Sequence, residues 1–334
     1  MPSEATAAAP KIGLLPLYLQ LYDDCMPERR PMFDGFIREV TDAFVSRSIA
    51  VCSAHVCRKA GEVAEALARF VQDGVDVIVT LHLAYSPSLE SAPLLSTCPL
   101  PIVLLDTTMD VAFGPDTAPD RIMYNHGIHG VMDLASVLRR RGKRFSVVAG
   151  HPDCSAVMDR AADAVRAAWA ARLLNASKTL RVGPSFAGMG DFSVAEDVLK
   201  RVLGISVAQA TPADLAETVA SVSEKSIEDE MALDRERFVC TVNEDVHRRS
   251  VRVGLGLRHM LVEGAFTAVS ANFLAFDSPE PPVNTVPFLE LSKAMSRGIG
   301  YGGEGDVLTA ALVGTLASAF GEVTFTEIFC PDWR

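Results

Sequence analysis

The sequence lacks a clustered basic surface, a cysteine framework and any long apolar run, and each lack removes a class of function. Acidic residues outnumber basic ones, 42 to 31, for a net charge of −11. Nucleic acid and anionic membranes are held by clustered Lys and Arg, so neither is expected as a partner. The basic run Arg139, Arg140 and Arg141 falls at an expected helix end, where it complements the dipole. Seven cysteines, an odd number without paired spacing, form no disulfide framework. Cys52 and Cys57 lack a second pair to complete a zinc site and are expected as buried thiols in a reducing compartment. Residues 1–10 have neither the basic start nor the apolar core of a secretion signal. No apolar run is long enough to cross a bilayer. A cytoplasmic chain with a disordered tail over residues 1–10 is expected.

What the chain does have is apolar mass in regular alternation. Its 334 residues are 49% hydrophobic, more than one core usually absorbs, so two domains are expected. Residues 12–19 form a continuous apolar run, as a strand buried on both faces requires. Pro31 suits a first helical turn, after which Phe33, Phe36, Ile37, Val40 and Phe44 share one face. Further strands are expected at 49–55, 75–81, 102–106 and 145–149, and helices at 60–72, 88–95, 128–140 and 154–172. This βα repetition implies a parallel sheet with helices on both faces, whose ligands sit beyond the carboxyl ends of the strands. Those ends carry Leu21-Tyr22, His82 to Tyr85 and Asp106-Thr107.

A second unit begins near residue 175. Strands are expected at 179–182, 206–210 and 266–273, and helices at 193–203, 243–261 and 288–296. The acidic stretch 212–237 is read as a solvated helical face without chemistry, and 277–284 as a Pro- and acid-rich loop. Gly254-Leu255-Gly256 lies inside a helical pattern and is no dinucleotide motif. Residues 299–306 form a glycine-rich loop before an apolar helix at 307–320, with Asp306 as N-cap. Glu304 beside that cap is either a solvated acid or a ligand group. In the expected strand 323–329, period two places Glu327 with Val323, Phe325 and Phe329. A carboxylate in such company is paired, protonated, metal-bound or at a solvated edge. Two carboxylates flanking one apolar helix suit a divalent ion or an acid–base pair.

Gly303-Glu304-Gly305-Asp306 followed by Thr309-Ala310-Ala311-Leu312, then Thr324-Phe325-Thr326-Glu327, resembles the metal-site signature of the L-arabinose/L-fucose isomerase family. In the same order, Gln20-Leu21-Tyr22, Leu81-His82 with Tyr85-Ser86-Pro87, Asn125 to Gly130, Gly150-His151, Gly188-Met189-Gly190-Asp191 and Asn272-Phe273 are similar to further family segments. The resemblance implies two doubly wound (Rossmann- or flavodoxin-like) α/β domains, 11–174 and 175–321, with 322–334 opening a β-rich C-terminal domain. It implies aldose–ketose isomerisation through an enediol, aided by a divalent metal, Mn²⁺ foremost. Glu304 and Glu327 would be metal ligands and proton-transfer groups, with Tyr22, Tyr85, His129, Met189 and Phe273 lining a sugar pocket. It also implies a homo-oligomer, trimer or hexamer, with His129 near a neighbour's glutamates.

Two features depart from the family. Its two histidine ligands follow the second glutamate, whereas all seven histidines here precede Glu327. The chain is therefore expected to lack the C-terminal domain and to be weak or silent alone. Phe325-Thr326 and Cys330-Pro331 differ from arabinose-type surroundings and leave the sugar open. His126, His151, His247 and His259 are read as structural. The competing class is a non-catalytic sugar-binding module of periplasmic-binding-protein-like architecture, which needs neither glutamate.

Overall fold

β1 (Lys11–Leu17) is buried along its length because it is flanked on both sides within a five-stranded parallel sheet. The computed structural model of the protein describes residues 9–276 and 284–334; most of the expected tail and the loop over 277–283 lie outside these. The chain divides into two compact units, 9–172 and 173–334.

In the first unit β1 is followed by α1 (Gln20–Cys25), α2 (Phe33–Val45), β2 (Ala50–Ser53), α3 (Ala60–Gln72), β3 (Val77–His82), α4 (Ala92–Thr97), β4 (Ile102–Asp106), α5 (Gly127–Arg140), β5 (Ser146–Ala149) and α6 (Val157–Asn175). The strand order is β2-β1-β3-β4-β5. Leu15, Leu17, Ile78 and Leu104 pack on one face against Phe70 of α3, Leu95 of α4 and Leu134 of α5. The alternate residues Leu14, Val79 and Leu105 are equally buried on the other face, as a doubly wound sheet requires. Two prolines correct the sequence reading. Pro31 lies in a 3-10 turn before α2, not in its first turn. The helix expected at 88–95 is a 3-10 turn at Ser88–Glu90 and then α4, which Pro93 restarts because its fixed φ suits a first turn.

The second unit runs β6 (Lys178–Val182), α7 (Glu196–Leu203), β7 (Ser206–Ala210), α8 (Pro212–Ala220), α9 (Glu224–Arg237), α10 (Glu244–Glu263), β8 (Ala268–Ala271), α11 (Phe288–Ser296), β9 (Gly300–Gly303) and α12 (Val307–Phe320). Its parallel sheet has the order β7-β6-β8-β9. Leu215, Val253, Leu257 and Leu291 bring α8, α10 and α11 onto one face, while α12 covers the other, where Val307 and Ala311 meet Leu199 of α7.

Here the structure departs from expectation in four places. The strand expected at 266–273 stops at Ala271, and the chain turns into a 3-10 helix at Phe273–Phe276. The glycine-rich stretch is partly a strand, β9, paired with β8. Residues 322–334 form no strand: among the described residues none lies alongside to take their backbone bonds, and Glu327 is exposed rather than set in an apolar face. The acidic stretch is not wholly solvated either. Glu230 and Asp234 of α9 enter a network with Arg258, Glu290, Lys293 and Arg297, in which Asp234 and Glu290 are each 2% exposed. Burial alone would raise the Glu230 carboxyl, but Arg258 at 2.7 Å and Lys293 at 2.7 Å bring it down to about 2.

α12 lies directly on β9. A side chain at Gly300 would overlap the Ala310 carbonyl and the Gly314 amide, and one at Gly302 the Asp306 carbonyl. Gly300→Ala is therefore expected to destabilise this unit by about 1–3 kcal/mol through overpacking. Urea unfolding checks this, and an unchanged midpoint would mean that helix and strand are not in backbone contact.

Candidate active site

In the first sheet the winding reverses between β1 and β3, and the loops leaving those strands gather there. Tyr22 stands on α1 just past β1, Tyr85 in the loop after β3, and His126 and His129 at the start of α5. The Ile122 carbonyl, 2.6 Å from His126 Nδ1, can only accept, so Nδ1 carries the proton. Nε2 is then free to accept the Tyr22 hydroxyl at 3.0 Å. Burial lowers the His126 pKa and raises that of Tyr22, with Tyr85 adding to the latter. His129 is exposed, its ring 6.3 Å from that of His126. His126, read from sequence as structural, is thus tied to a candidate pocket residue.

His82, at the end of β3, is 3% exposed and its Nδ1 has no partner among the described residues. Gly127 and Gly130 let α5 rest on it, since a side chain at either would strike the His82 carbonyl or ring. Burial pulls its pKa down to about 4, with Asp133 opposing.

In the second unit the reversal lies between β6 and β8. Met189 follows β6 and Phe273 follows β8, both partly exposed, and Phe273 meets Phe186 edge to face at 4.9 Å. Glu304 leaves β9 with φ +62°, a left-handed conformation costly for a side chain with a Cβ. Around it the chain is clasped: the Phe186 amide donates to the Glu304 carbonyl at 3.0 Å and Ser185 Oγ to the Gly305 carbonyl at 3.0 Å. Arg181 donates to Ser185 Oγ at 3.2 Å, and Asn272 Nδ2 to the Pro184 carbonyl at 2.7 Å. Asp306 caps α12 through the Thr309 amide at 2.9 Å.

Glu304 and Glu327 both act on Tyr301. Burial pushes its hydroxyl up to about 12, and Glu327 and then Glu304 add to the shift. Phe325 packs edge-on against the Tyr301 ring at 5.4 Å, which brings the segment of Glu327 toward the end of β9. Among the described residues no group of three or more His, Cys, Asp or Glu is placed to hold a metal ion. Carboxylate oxygens suit a hard divalent cation, but two carboxylates suit it only as part of a larger set. Among the described residues, no helix is long and apolar enough to cross a membrane.

The family model for the L-arabinose isomerase central domain matches residues 197–320. An L-arabinose isomerase of Mycolicibacterium smegmatis is 30% identical over 254 residues, 72% of this chain and 49% of that protein. One of Nocardioides sp. is 28% identical over 250 residues, with the same coverage. The L-arabinose isomerase of Shouchella clausii is 29% identical over 221 residues, 64% of this chain and 43% of that protein. The chain belongs to the L-arabinose isomerase family. It spans about half the length of the curated relatives it matches. The L-arabinose isomerase central-domain match contains Phe273 and Glu304, while Met189 and Glu327 flank it.

Two outcomes follow from this geometry. Glu304→Gly relieves the left-handed strain and is expected to leave the unit as stable or up to about 1 kcal/mol more stable. A clear loss in urea unfolding would mean that the glutamate is held by contacts of its own. For His82, the unfolded chain takes up a proton below pH 6.5, whereas the folded one resists until about pH 4. Stability is thus lost as pH falls through that window, by about 3 kcal/mol in full. His82→Gln should flatten this acid limb when denaturation midpoints are compared between pH 7 and pH 4.

Proposed function

We propose that this chain is the substrate-handling part of a cytoplasmic aldose–ketose isomerase acting on a small sugar. The observation that carries the reading is Glu304: a glutamate held left-handed by bonds from a neighbouring loop, at the carboxyl end of a sheet, within the stretch matching the L-arabinose isomerase central domain. Strain of this kind persists where the surroundings over-determine it, and it concentrates at functional sites.

In the proposed reaction Glu304 and Glu327 move the proton between C2 and C1 of the open-chain sugar, one carboxylate taking it and a carboxyl returning it. Tyr301 keeps its own proton to about pH 12, so beside them it acts as a donor and not as a base. Tyr22, Tyr85, His129, Met189 and Phe273 line the sugar, with His126 fixing the Tyr22 hydroxyl. A divalent cation such as Mn²⁺ supplies, when bound, the positive charge that stabilises the enediolate. Glu304 and Glu327 would be its ligands from this chain, as part of a larger set of donors. Trimers or hexamers of the parent would bring His129 of one copy near the glutamates of another. L-Arabinose and L-fucose types of substrate both fit this reading.

The test compares residues 1–334 with the longest product of the same reading frame, on a panel of pentoses and 6-deoxyhexoses with Mn²⁺. The longer product is expected to isomerise a sugar, and residues 1–334 alone to be weak or silent. Glu304→Gln and Glu327→Gln in the longer product should each lower kcat by about 10²–10⁴-fold. Undiminished turnover in either variant removes that residue from the reaction. Silence of both lengths with retained sugar binding would favour a binding module.

A further inference from the structure

A cavity at the junction of α9 and α10 plays no part in the proposed reaction, and a buried polar pair forms its base. Its volume is about 290 Å³ and it is partly open to solvent. Phe238, Val242, Val246 and Leu289 supply apolar wall, and Asp234 and His247 line it with side chains only 3% and 6% exposed. Phe238 and Val242 are each 59% exposed, so large apolar side chains meet water around a recess that folding has not filled.

The charges fix the hydrogen-bonding sense of the histidine. Asp234 is already paired with Lys293, and Glu230, Arg258, Glu290 and Arg297 complete the network. Its three carboxylates and three cations balance without His247. The Asp234 carboxylate can only accept, so His247 Nε2–H donates to its Oδ2 at 2.9 Å. Nδ1 is then a lone-pair acceptor, and among the described residues it has no partner. An acceptor that opens onto the cavity is met there by water or by whatever enters with a donor.

We propose that this cavity binds a small uncharged ring compound bearing a hydroxyl, a phenol or an alicyclic alcohol, its ring among Phe238, Val242, Val246 and Leu289 and its O–H donated to His247 Nδ1. The size is sufficient, since about 150 Å³ of apolar cavity holds benzene. A cation finds Asp234 already neutralised by Lys293. An anion finds no unpaired positive charge in the network, and a sugar would set most of its hydroxyls against Phe238, Val242, Val246 and Leu289, with Thr241 and Ser250 the further hydroxyl side chains of the lining.

Cys240 lines the same cavity and is exposed, and Cys25, Cys154 and Cys330 are exposed elsewhere, so one chain carries both reporter and controls. Iodoacetamide labelling of residues 1–334, read peptide by peptide, measures occupancy. Phenol at about 1–10 mM is expected to slow Cys240 labelling about threefold and leave the three controls unchanged. Toluene, the ring without the hydroxyl, should need about fivefold more ligand for the same protection, the worth of one hydrogen bond. Val246→Trp, at a position 42% exposed, fills the cavity and should abolish the protection while the far-ultraviolet spectrum stays that of the parent. The proposal falls if neither phenol nor cyclohexanol protects Cys240. It falls equally if toluene protects as well as phenol, or if Val246→Trp leaves protection intact.

Discussion

Backbone resting on backbone between α12 and β9 is the constraint on which the second unit turns. The glycines of β9 leave no side chain between strand and helix, so the helix axis is set by peptide groups, which have one way to fit, and not by side chains, which have several. With α12 so fixed, its cap residue Asp306 is fixed, and the two residues between strand and cap must turn sharply. Glu304 takes the left-handed conformation within that short connection. The loop after β6 then closes over it with bonds to the carbonyls of Glu304 and Gly305. Packing, turn and carboxylate are one chain of cause.

The two units reach their candidate sites by the same rule. Each sheet is parallel and reverses its winding once, after the first strand of its unit. In each, aromatic side chains and hydrogen-bonding loops collect at that reversal: Tyr22 and Tyr85 in one, Phe186 and Phe273 in the other. The polar character differs. The first unit offers a tyrosine–histidine pair of fixed tautomer, and the second offers carboxylates around a tyrosine that keeps its proton.

Much of this was legible in the sequence. The helices at 60–72, 288–296 and 307–320 and the strands at 102–106 and 206–210 coincide with those formed, because each is a periodic or continuous apolar segment set off by capping or breaking residues. Glu304 stood out through its glycines, and the family through ordered short motifs. What was not legible depends on partners distant along the chain. β9 has no side-chain pattern to betray a strand, because its glycines answer to a helix that comes later. The pairing of Tyr22 with His126 spans 104 residues. Asp234 and Glu230 look like surface acids until Arg258 and Lys293 arrive from other helices. For residues 323–329 the alternation predicts a strand that does not form, because alternation alone makes no strand without a neighbour.

The buried network of α9, α10 and α11 constrains how this sequence can diverge. Its six charges close on one another, with Arg258 bridging Glu230 and Glu290 and with Lys293 bridging Glu230 and Asp234. Loss of Lys293 takes from the buried Asp234 its lysine partner, whereas loss of Arg297 leaves Glu290 still paired with Arg258, so the members differ in what their loss costs. A change at Lys293 is therefore best tolerated together with one at Asp234, which ties positions on two different helices to each other.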